Sequence, residues 1–247
     1  MIEKKQRLDQ ILFNRNLVES KTKAQAMIMA GQVCVEGKII NKSGFNININ
    51  AAIEINTLGP KWVSRGAHKL LTALEENKII VKNKICIDLG SSTGGFTDVL
   101  IQRGAQKVYA IDVGTNQLHE KLKENNKVIS LEKTNARYLK KDQFVELIDI
   151  MVCDVSFISL KKVIEPNLHL LKDESVIIAL IKPQFESKKN ETKKGVVKDF
   201  IIHQRICNEI SKWFENIGRS KVLSINESPI RGPKGNTEFL ITVKYQK

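Results

Sequence analysis

Residues 84–105 read KICIDLGSSTGGFTDVLIQRGA and give the clearest indication of the fold. The first half of this segment is an apolar run that predicts a buried strand, and the second half has the apolar spacing of an amphipathic helix. Asp88, Gly90, Gly94 and Gly95 lie between them. They occupy the strand-to-helix turn, the place where open α/β sheets bind ligands. The segment therefore predicts the first unit of a ligand-binding parallel sheet.

Strand and helix patterns continue to alternate after this segment, as in a doubly wound sheet. Further strands are predicted at residues 107–114, 127–133, 148–156, 175–183, 220–228 and 237–246. Helices are predicted near residues 117–124, 160–171 and 199–216. The last two strands are separated only by SPIRGPKGN, which is too short for a helical crossover, so they should pair antiparallel. The fold class is α/β, a mostly parallel seven-stranded sheet with an antiparallel last strand.

The first sixty residues carry a different pattern. A short helix with apolar residues at 8, 11 and 12 precedes a second helix, for which Ser20 is a suitable N-cap and Gly31 a suitable end. Short strands over residues 33–40 follow. We expect a small α+β unit with one thin core. Its cationic residues should remain outside that core: Arg7, Arg15, Lys21 and Lys23.

Residues 6–58 resemble the S4 RNA-binding domain, through RLDQIL and SKTKAQAMIMAGQVCVEGKIINKSG. The resemblance implies a basic helical face that grips RNA phosphates and reads shape more than sequence. An accessory dimerisation or docking domain is the alternative. We predict an S4-like domain over residues 1–58, a linker over 59–66 that contains Gly59-Pro60, and a second domain over 67–247.

The glycine-rich turn indicates the kind of ligand. Glycines let the backbone approach a ligand, and an exposed helix N-terminus favours a carboxylate. The spacing G-x-x-x-G-G differs from the dinucleotide fingerprint G-x-G-x-x-G, and Asp88 before it suits an ammonium group. Asp112 ends the next strand about twenty residues later, where an acid accepts hydrogen bonds from ribose. S-adenosylmethionine meets these requirements; a structural turn without a ligand is the alternative.

The acceptor of a methyl group can be narrowed by elimination. Residues 153–157 read CDVSF and lack the prolines typical of amino-nitrogen methylation, and no Pro-Cys turn supplies a nucleophile for carbon methylation. A hydroxyl acceptor remains, and it needs a base. Asp154 and Lys182 end neighbouring strands, Glu238 begins the last strand, and Lys69 lies on the helix before the sheet. A lysine shielded from water near another lysine is a less stable ammonium and can act as that base.

These four residues match the Lys-Asp-Lys-Glu tetrad of FtsJ-type ribose 2′-O-methyltransferases. The motifs WVSRGAHKL, STGGFTDVL, TNAR, DVSFISL, KPQFE and GNTEF resemble the TlyA family, also called haemolysin A-like, over almost the whole chain. The resemblance implies a Rossmann-like class I methyltransferase that modifies the cytidine 2′-oxygen of ribosomal RNA. It also implies roles: Lys182 as the main base, Lys69 and Asp154 assisting it, and Glu238 orienting.

The same resemblance implies the binding residues. The S-adenosylmethionine site would comprise Asp88, Gly90, Ser91, Ser92, Thr93, Gly94, Gly95, Phe96, Asp112, Val113, Asn135, Ala136 and Asp154. Arg65 and His68 flank Lys69 and are candidates for contact with RNA phosphate, although His68 also suits a hydrogen-bonded surface position.

The composition favours a polyanionic partner. The net charge is +13, from 40 lysines and arginines against 27 acids, although solvated lysines from an A/T-biased genome would give the same count. The four cysteines lack metal-ligand spacing, so we expect no metal and a reducing, cytoplasmic location.

We expect a monomer without a membrane span, bound to ribosomal RNA or a ribosomal subunit. A membrane-lytic protein and a non-catalytic RNA-binding assembly factor are the alternatives.

Overall fold

The computed structural model describes residues 5–29, 31–40, 42–55 and 62–247. The chain divides into two compact units, Met1–Arg65 and Gly66–Lys247. Each unit has its own apolar core. The expected break at Gly59-Pro60 lies outside the described residues, as does the start of the proposed linker, residues 59–61.

The first unit combines two helices with short antiparallel strands. The strands are β1 Lys5–Arg7, β2 Val33–Val35, β3 Lys38–Ile39, β4 Asn46–Asn48 and β5 Ile53–Ile55, and the helices are α1 Leu8–Asn14 and α2 Lys21–Met29. β1 pairs with β4, and β2 lies between β3 and β5. Ser20 Oγ accepts a hydrogen bond from the Lys23 amide at 3.1 Å, as expected of an N-cap. Gly31 follows α2 with φ of 72°, a conformation that glycine adopts without strain.

The second unit is a seven-stranded sheet with helices. The helices are α3 Ala67–Glu76, α4 Gly95–Gln102, α5 Glu120–Lys123, α6 Lys161–Ile164, α7 Pro183–Glu186 and α8 Phe200–Glu215. The strands are β6 Ile85–Leu89, β7 Lys107–Ile111, β8 Val128–Leu131, β9 Ile148–Cys153, β10 Leu171–Ile181, β11 Lys221–Glu227 and β12 Phe239–Tyr245. Their order is β11-β12-β10-β9-β6-β7-β8, and β12 runs antiparallel to both of its neighbours. The predicted fold class is confirmed.

Two predicted helices are shorter than the sequence indicates. Helix α6 ends at Ile164, and a 3₁₀ helix over Glu165–Leu170 replaces the rest of the predicted helix. Pro166 explains this change, because proline has no amide to donate to an α-helical hydrogen bond. The helix predicted at 117–124 is reduced to the single turn α5. Within the described ranges, no helix is long and apolar enough to cross a bilayer.

The sheet places α3 and α8 against β12. On β12, Thr242 Oγ1 accepts a hydrogen bond from the Asn77 side chain at the end of α3. The ring of Phe239 packs edge-on against His203 of α8, with centroids 5.5 Å apart. Because successive side chains of a strand point to opposite faces, even-numbered residues of β12 face α3 and odd-numbered residues face α8.

Phe214 of α8 is fully buried in the core of the sheet unit. We expect Phe214→Ala to lower the free energy of unfolding by about 3–5 kcal/mol, because it removes apolar contacts and leaves a cavity. Urea unfolding followed by circular dichroism measures this. Ile80→Ala is the matched control, since Ile80 is 73% exposed and its truncation should change stability little. Equal effects of the two variants would contradict this account of the core.

Candidate active site

Four charged side chains meet at the carboxyl edge of the sheet. Lys182 Nζ lies 2.6 Å from Asp154 Oδ1, and Lys69 Nζ lies 3.6 Å from Asp154 Oδ2. Lys69 Nζ also donates a hydrogen bond of 2.8 Å to Glu238 Oε2. The charges therefore alternate along the chain Lys182, Asp154, Lys69, Glu238, which we call the charge chain. The structure brings together all four residues that the sequence singled out for catalysis.

The topology explains why these residues meet. Asp154 directly follows β9 and Lys182 directly follows β10, which are parallel neighbours. Glu238 precedes β12, and because β12 is antiparallel, its start lies at the carboxyl edge of the other strands. Lys69 extends from the first turn of α3. One helix and three strands thus each contribute one member of the charge chain.

The charge chain is largely shielded from water. Lys69, Lys182 and Glu238 are 8%, 7% and 1% exposed, whereas the Asp154 side chain is 23% exposed. Buried charges are costly unless they are paired, and the alternating ion pairs supply that pairing. Solvent therefore reaches the charge chain beside Asp154.

Three further residues hold the charge chain in place, and the sequence analysis did not single out any of them. Lys182 Nζ donates to Ser156 Oγ at 3.0 Å, and Gln184 Nε2 donates to Glu238 Oε1 at 3.4 Å. An added Cβ on Gly232 would overlap Glu238 Oε1, so any other residue there would displace the Glu238 carboxylate. Ser156 lies two residues after Asp154, and Gln184 lies two residues after Lys182. This spacing places both near the site, but it does not indicate that Ser156 bonds to Lys182 or that Gln184 bonds to Glu238.

A cavity of about 370 Å³ lies next to Asp154 at the same sheet edge. Seven of the predicted cofactor-binding residues line it: Gly90, Ser92, Asp112, Val113, Asn135, Ala136 and Asp154. Nine further residues complete the lining: Ile111, Gln117, Thr134, Arg137, Val155, Ser156, Phe157, Ile158 and Val163. Ser156 lines the cavity and also accepts a hydrogen bond from Lys182, so the cavity adjoins the charge chain.

The other predicted cofactor-binding residues do not line this cavity: Asp88, Ser91, Thr93, Gly94, Gly95 and Phe96. Gly94 has φ of 94°, and an added Cβ would overlap Leu122 and lie 2.7 Å from Leu118. Gly90 has φ of 83°, and an added Cβ would lie 2.9 Å from the Asp154 carbonyl. These two glycines therefore permit close packing within the protein, in addition to any approach to a ligand.

Asp112 shapes the cavity through the backbone. Its Oδ2 accepts from the Ser92 amide at 2.8 Å, and its Oδ1 accepts from the Gly114 amide at 2.7 Å. Each carboxylate oxygen retains a further lone pair, so the carboxylate can still accept hydrogen bonds from a ligand. Asn135 similarly accepts from the Arg137 amide at 3.1 Å.

Asp88 is fully buried beneath the glycine-rich turn. Thr97 Oγ1 donates to its Oδ2 at 2.6 Å, while its Oδ1 has no hydrogen-bond partner among the residues that the structure describes. Burial raises the pKa of Asp88 from 3.8 to about 7, and the hydrogen bond from Thr97 opposes this rise. Because Asp88 is fully buried and does not line the cavity, its contact with Thr97 holds the end of β6 against the start of α4.

The predicted RNA-binding residues of the first unit are all exposed, but two of them are engaged. Arg7 pairs with Asp9 at 2.6 Å, and Arg15 donates to the carbonyls of Ala51 and Ile49. Lys21 and Lys23 extend from the start of α2 without an ion pair among the described residues. Arg15 bonds to residues more than thirty positions away, and the pairing of Arg7 with Asp9 depends on the local backbone conformation. The composition of the chain could not predict either contact.

The two predicted RNA contacts near Lys69 differ in exposure. Arg65 is exposed and ends the first unit, and His68 is half-buried in the first turn of α3. No group of three or more potential metal ligands is present in the described parts of the chain.

Comparison with known proteins gives the family. A model described as FtsJ-like methyltransferase matches residues 62–245, and a model of the S4 domain matches residues 6–53. The chain belongs to the FtsJ-like methyltransferase family. Its match to that family model spans the sheet unit almost completely, including all four members of the charge chain.

Several full-length relatives share both parts of the chain. Hemolysin A of Brachyspira hyodysenteriae is 41% identical, with 95% of this chain and 98% of the relative covered. The 16S/23S rRNA (cytidine-2′-O)-methyltransferase TlyA of Mycobacterium tuberculosis is 38% identical, covering 97% and 90%. A solved structure from Streptococcus thermophilus, named as a candidate hemolysin, is 35% identical with a TM-score of 0.74, covering 99% and 90%. The resemblance to the TlyA family is confirmed.

The raised pKa of Asp88 predicts a pH dependence of stability. Between about pH 4 and pH 7 the folded protein keeps the Asp88 proton that the unfolded chain loses, so this residue lowers stability as pH rises through that range. The change should reach about 4 kcal/mol at most. Asp88→Asn should remove it. Urea unfolding of both proteins from pH 4 to 8 measures the difference, and a difference that does not vary with pH would contradict the prediction.

Proposed function

We propose that this chain transfers the methyl group of S-adenosylmethionine to the 2′-oxygen of a cytidine ribose in ribosomal RNA. The charge chain carries the proposal, because it places a shielded lysine amine beside the ligand cavity. Relatives named as rRNA (cytidine-2′-O)-methyltransferases, at 36–38% identity over most of their length, support the substrate. We further propose that residues 1–58 bind the RNA, that residues 67–247 perform catalysis, and that the protein works as a cytoplasmic monomer.

The cavity fits S-adenosylmethionine in size and chemistry. Its volume of about 370 Å³ lies within the range of roughly 300–1,000 Å³ of small-molecule sites. Asp112 and Asn135, which line the cavity, offer oxygens for polar groups of a nucleoside. When bound, S-adenosylmethionine supplies a methyl group activated by a positively charged sulfur. These residues would hold it.

The residues of the charge chain can handle the proton of the acceptor. A ribose hydroxyl attacks well only when its proton is accepted as the new oxygen–carbon bond forms. Lys182 Nζ, in its neutral form, accepts this proton and becomes an ammonium. Asp154 at 2.6 Å stabilises the charge that appears, and Ser156 Oγ helps to fix the direction of Nζ. The oxygen's electron pair would form the bond to the methyl carbon while the carbon–sulfur bond breaks. The electron pair of that bond would stay on sulfur, which loses its positive charge, so atoms and charges balance.

Lys69 and Glu238 act on Asp154 rather than on the acceptor. Lys69 joins the two carboxylates, at 3.6 Å from Asp154 and 2.8 Å from Glu238. This second cation prevents Asp154 from turning freely, and buried Glu238 fixes Lys69 in turn. The arrangement positions Lys182 indirectly.

The role of Lys182 as a base can be separated from its role as a charge. Lys182→Ala removes both, whereas Lys182→Arg keeps a cation beside Asp154 that cannot lose its proton at neutral pH. We expect both variants to lower kcat by about 10²- to 10⁴-fold, the usual contribution of a general base. Transfer of labelled methyl groups to ribosomal RNA measures activity, and calorimetry should show cofactor binding within a fewfold of wild type. Substantial activity of Lys182→Arg would show that charge alone suffices.

The exposed lysines of α2 should contribute to RNA affinity. Replacing Lys21 and Lys23 together by alanine should weaken RNA binding and lower the slope of log K against log salt by about 1.5, because fewer counterions are released. Filter binding at several salt concentrations measures the slope. The control is Lys221→Ala with Lys244→Ala, which removes two exposed charges from paired positions at the amino edge of the sheet. Equal slopes for the two double variants would contradict a role for α2.

A further inference from the structure

A second cavity, also of about 370 Å³, lies in the sheet unit beside the start of α8. We call it the α8 cavity. Its lining comes from three segments of the chain: Val196, Val197, Lys198, Phe200 and His203, then Glu227, and finally Arg231, Lys234, Gly235, Thr237 and Phe239. None of these residues lines the cavity beside Asp154, and none belongs to the charge chain.

The α8 cavity and the charge chain share strand β12. Thr237 and Phe239 line the cavity and flank Glu238, which points to the opposite face and meets Lys69. Neighbouring strand residues are only about 3.3 Å apart along the chain. The two sites therefore adjoin the same short segment at the start of β12, on opposite faces of the strand.

One buried side-chain amide hydrogen-bonds to the segments that form the wall of the α8 cavity. Asn236 is 2% exposed, and its Oδ1 accepts from the Val197 amide at 3.3 Å. Its Nδ2 donates to the carbonyls of Gly195 and Pro233, each at 3.0 Å. Nε2 of buried His203 is 2.9 Å from the Val197 carbonyl. These bonds fix the segment before α8 against the segment before β12, so the shape of the cavity is maintained by hydrogen bonds.

The charges of the α8 cavity favour an anion. Three cationic side chains line it, Lys198, Arg231 and Lys234, against the single carboxylate of Glu227. Lys234 Nζ donates to the Lys194 carbonyl at 3.3 Å. Among the described residues, Lys198 and Arg231 have no hydrogen-bond or ion-pair partner. Two exposed cations that nothing neutralises, at the mouth of a cavity, attract a phosphate.

The apolar part of the lining favours a ring. The Phe200 side chain is 67% exposed, although it is large and aromatic. Phe239 lies in the same lining, with its ring against His203. An exposed aromatic ring beside arginine and lysine is the combination that binds unpaired nucleotides, by stacking on the base and pairing with the phosphate.

We propose that the α8 cavity binds a second nucleotide of the RNA strand, next to the one presented to the charge chain. Lys198 and Arg231 hold its phosphate, and Phe200 stacks on its base. The proposal rests on the proposed function, since it concerns the same RNA.

The test separates the phosphate contact from the stacking contact. Replacing Lys198 and Arg231 together by alanine should raise KM for RNA about tenfold and leave kcat within about twofold. It should also lower the slope of log K against log salt by about 0.7, the value for one phosphate on a single strand. Phe200→Ala should raise KM about tenfold with an unchanged salt slope, because stacking releases few ions. The control is again Lys221→Ala with Lys244→Ala, which should leave KM unchanged.

Each other outcome overturns the proposal. If the Lys198 and Arg231 double variant matches the control in KM and slope, the α8 cavity holds no RNA phosphate. If Phe200→Ala has no effect while the double variant does, the cavity binds a phosphate alone and no nucleotide. Circular dichroism and calorimetry with S-adenosylmethionine confirm that each variant is folded. Absence of methyl transfer by the wild-type protein would instead refute the proposed function, while the salt slopes would still test the cavity.

Discussion

Alternation of charge is what allows two lysines and a glutamate to lie buried at one edge of this sheet. Each ammonium of the charge chain has a carboxylate within 3.6 Å, and Asp154 has an ammonium on each side. Removing water from an unpaired ion costs several kcal/mol, so any arrangement that broke this order would leave a charge without compensation. The same requirement favours the observed order, in which every ammonium lies beside a carboxylate. A reactive amine is thereby held in place before any substrate arrives.

The antiparallel last strand is the part of the topology on which this arrangement depends. A seventh strand parallel to the others would begin at their amino edge and carry Glu238 away from Lys69. Because β12 enters between β10 and β11 in the opposite direction, its first residues arrive where β9 and β10 end. The short connection from β11 makes this reversal necessary, since a helical crossover cannot be built from so few residues. The length of the connection between β11 and β12 thus determines where Glu238 lies.

Much of this could be read from the sequence, for identifiable reasons. Strand periodicity and the positions of Asp154 and Lys182 at strand ends predict which side chains converge, because the ends of parallel strands share one edge. The burial of Lys69 could not be predicted without the resemblance, since its helix alone reads as solvent-facing. The crowding of Gly94 by Leu118 and Leu122 is a tertiary contact with a separate segment and leaves no local signal.

The α8 cavity is likewise formed by tertiary contacts that the sequence does not predict. Its residues come from three separate stretches of the chain. Two of these stretches are held together by the hydrogen bonds of Asn236 and by the contact of Phe239 with His203. Asn236 lies two residues before Glu238, and both side chains are buried and hydrogen-bonded. A displacement of the segment before α8 would therefore be transmitted through Asn236 to the start of β12. In this structure the positioning of the charge chain and the shape of the neighbouring cavity depend on the same few residues.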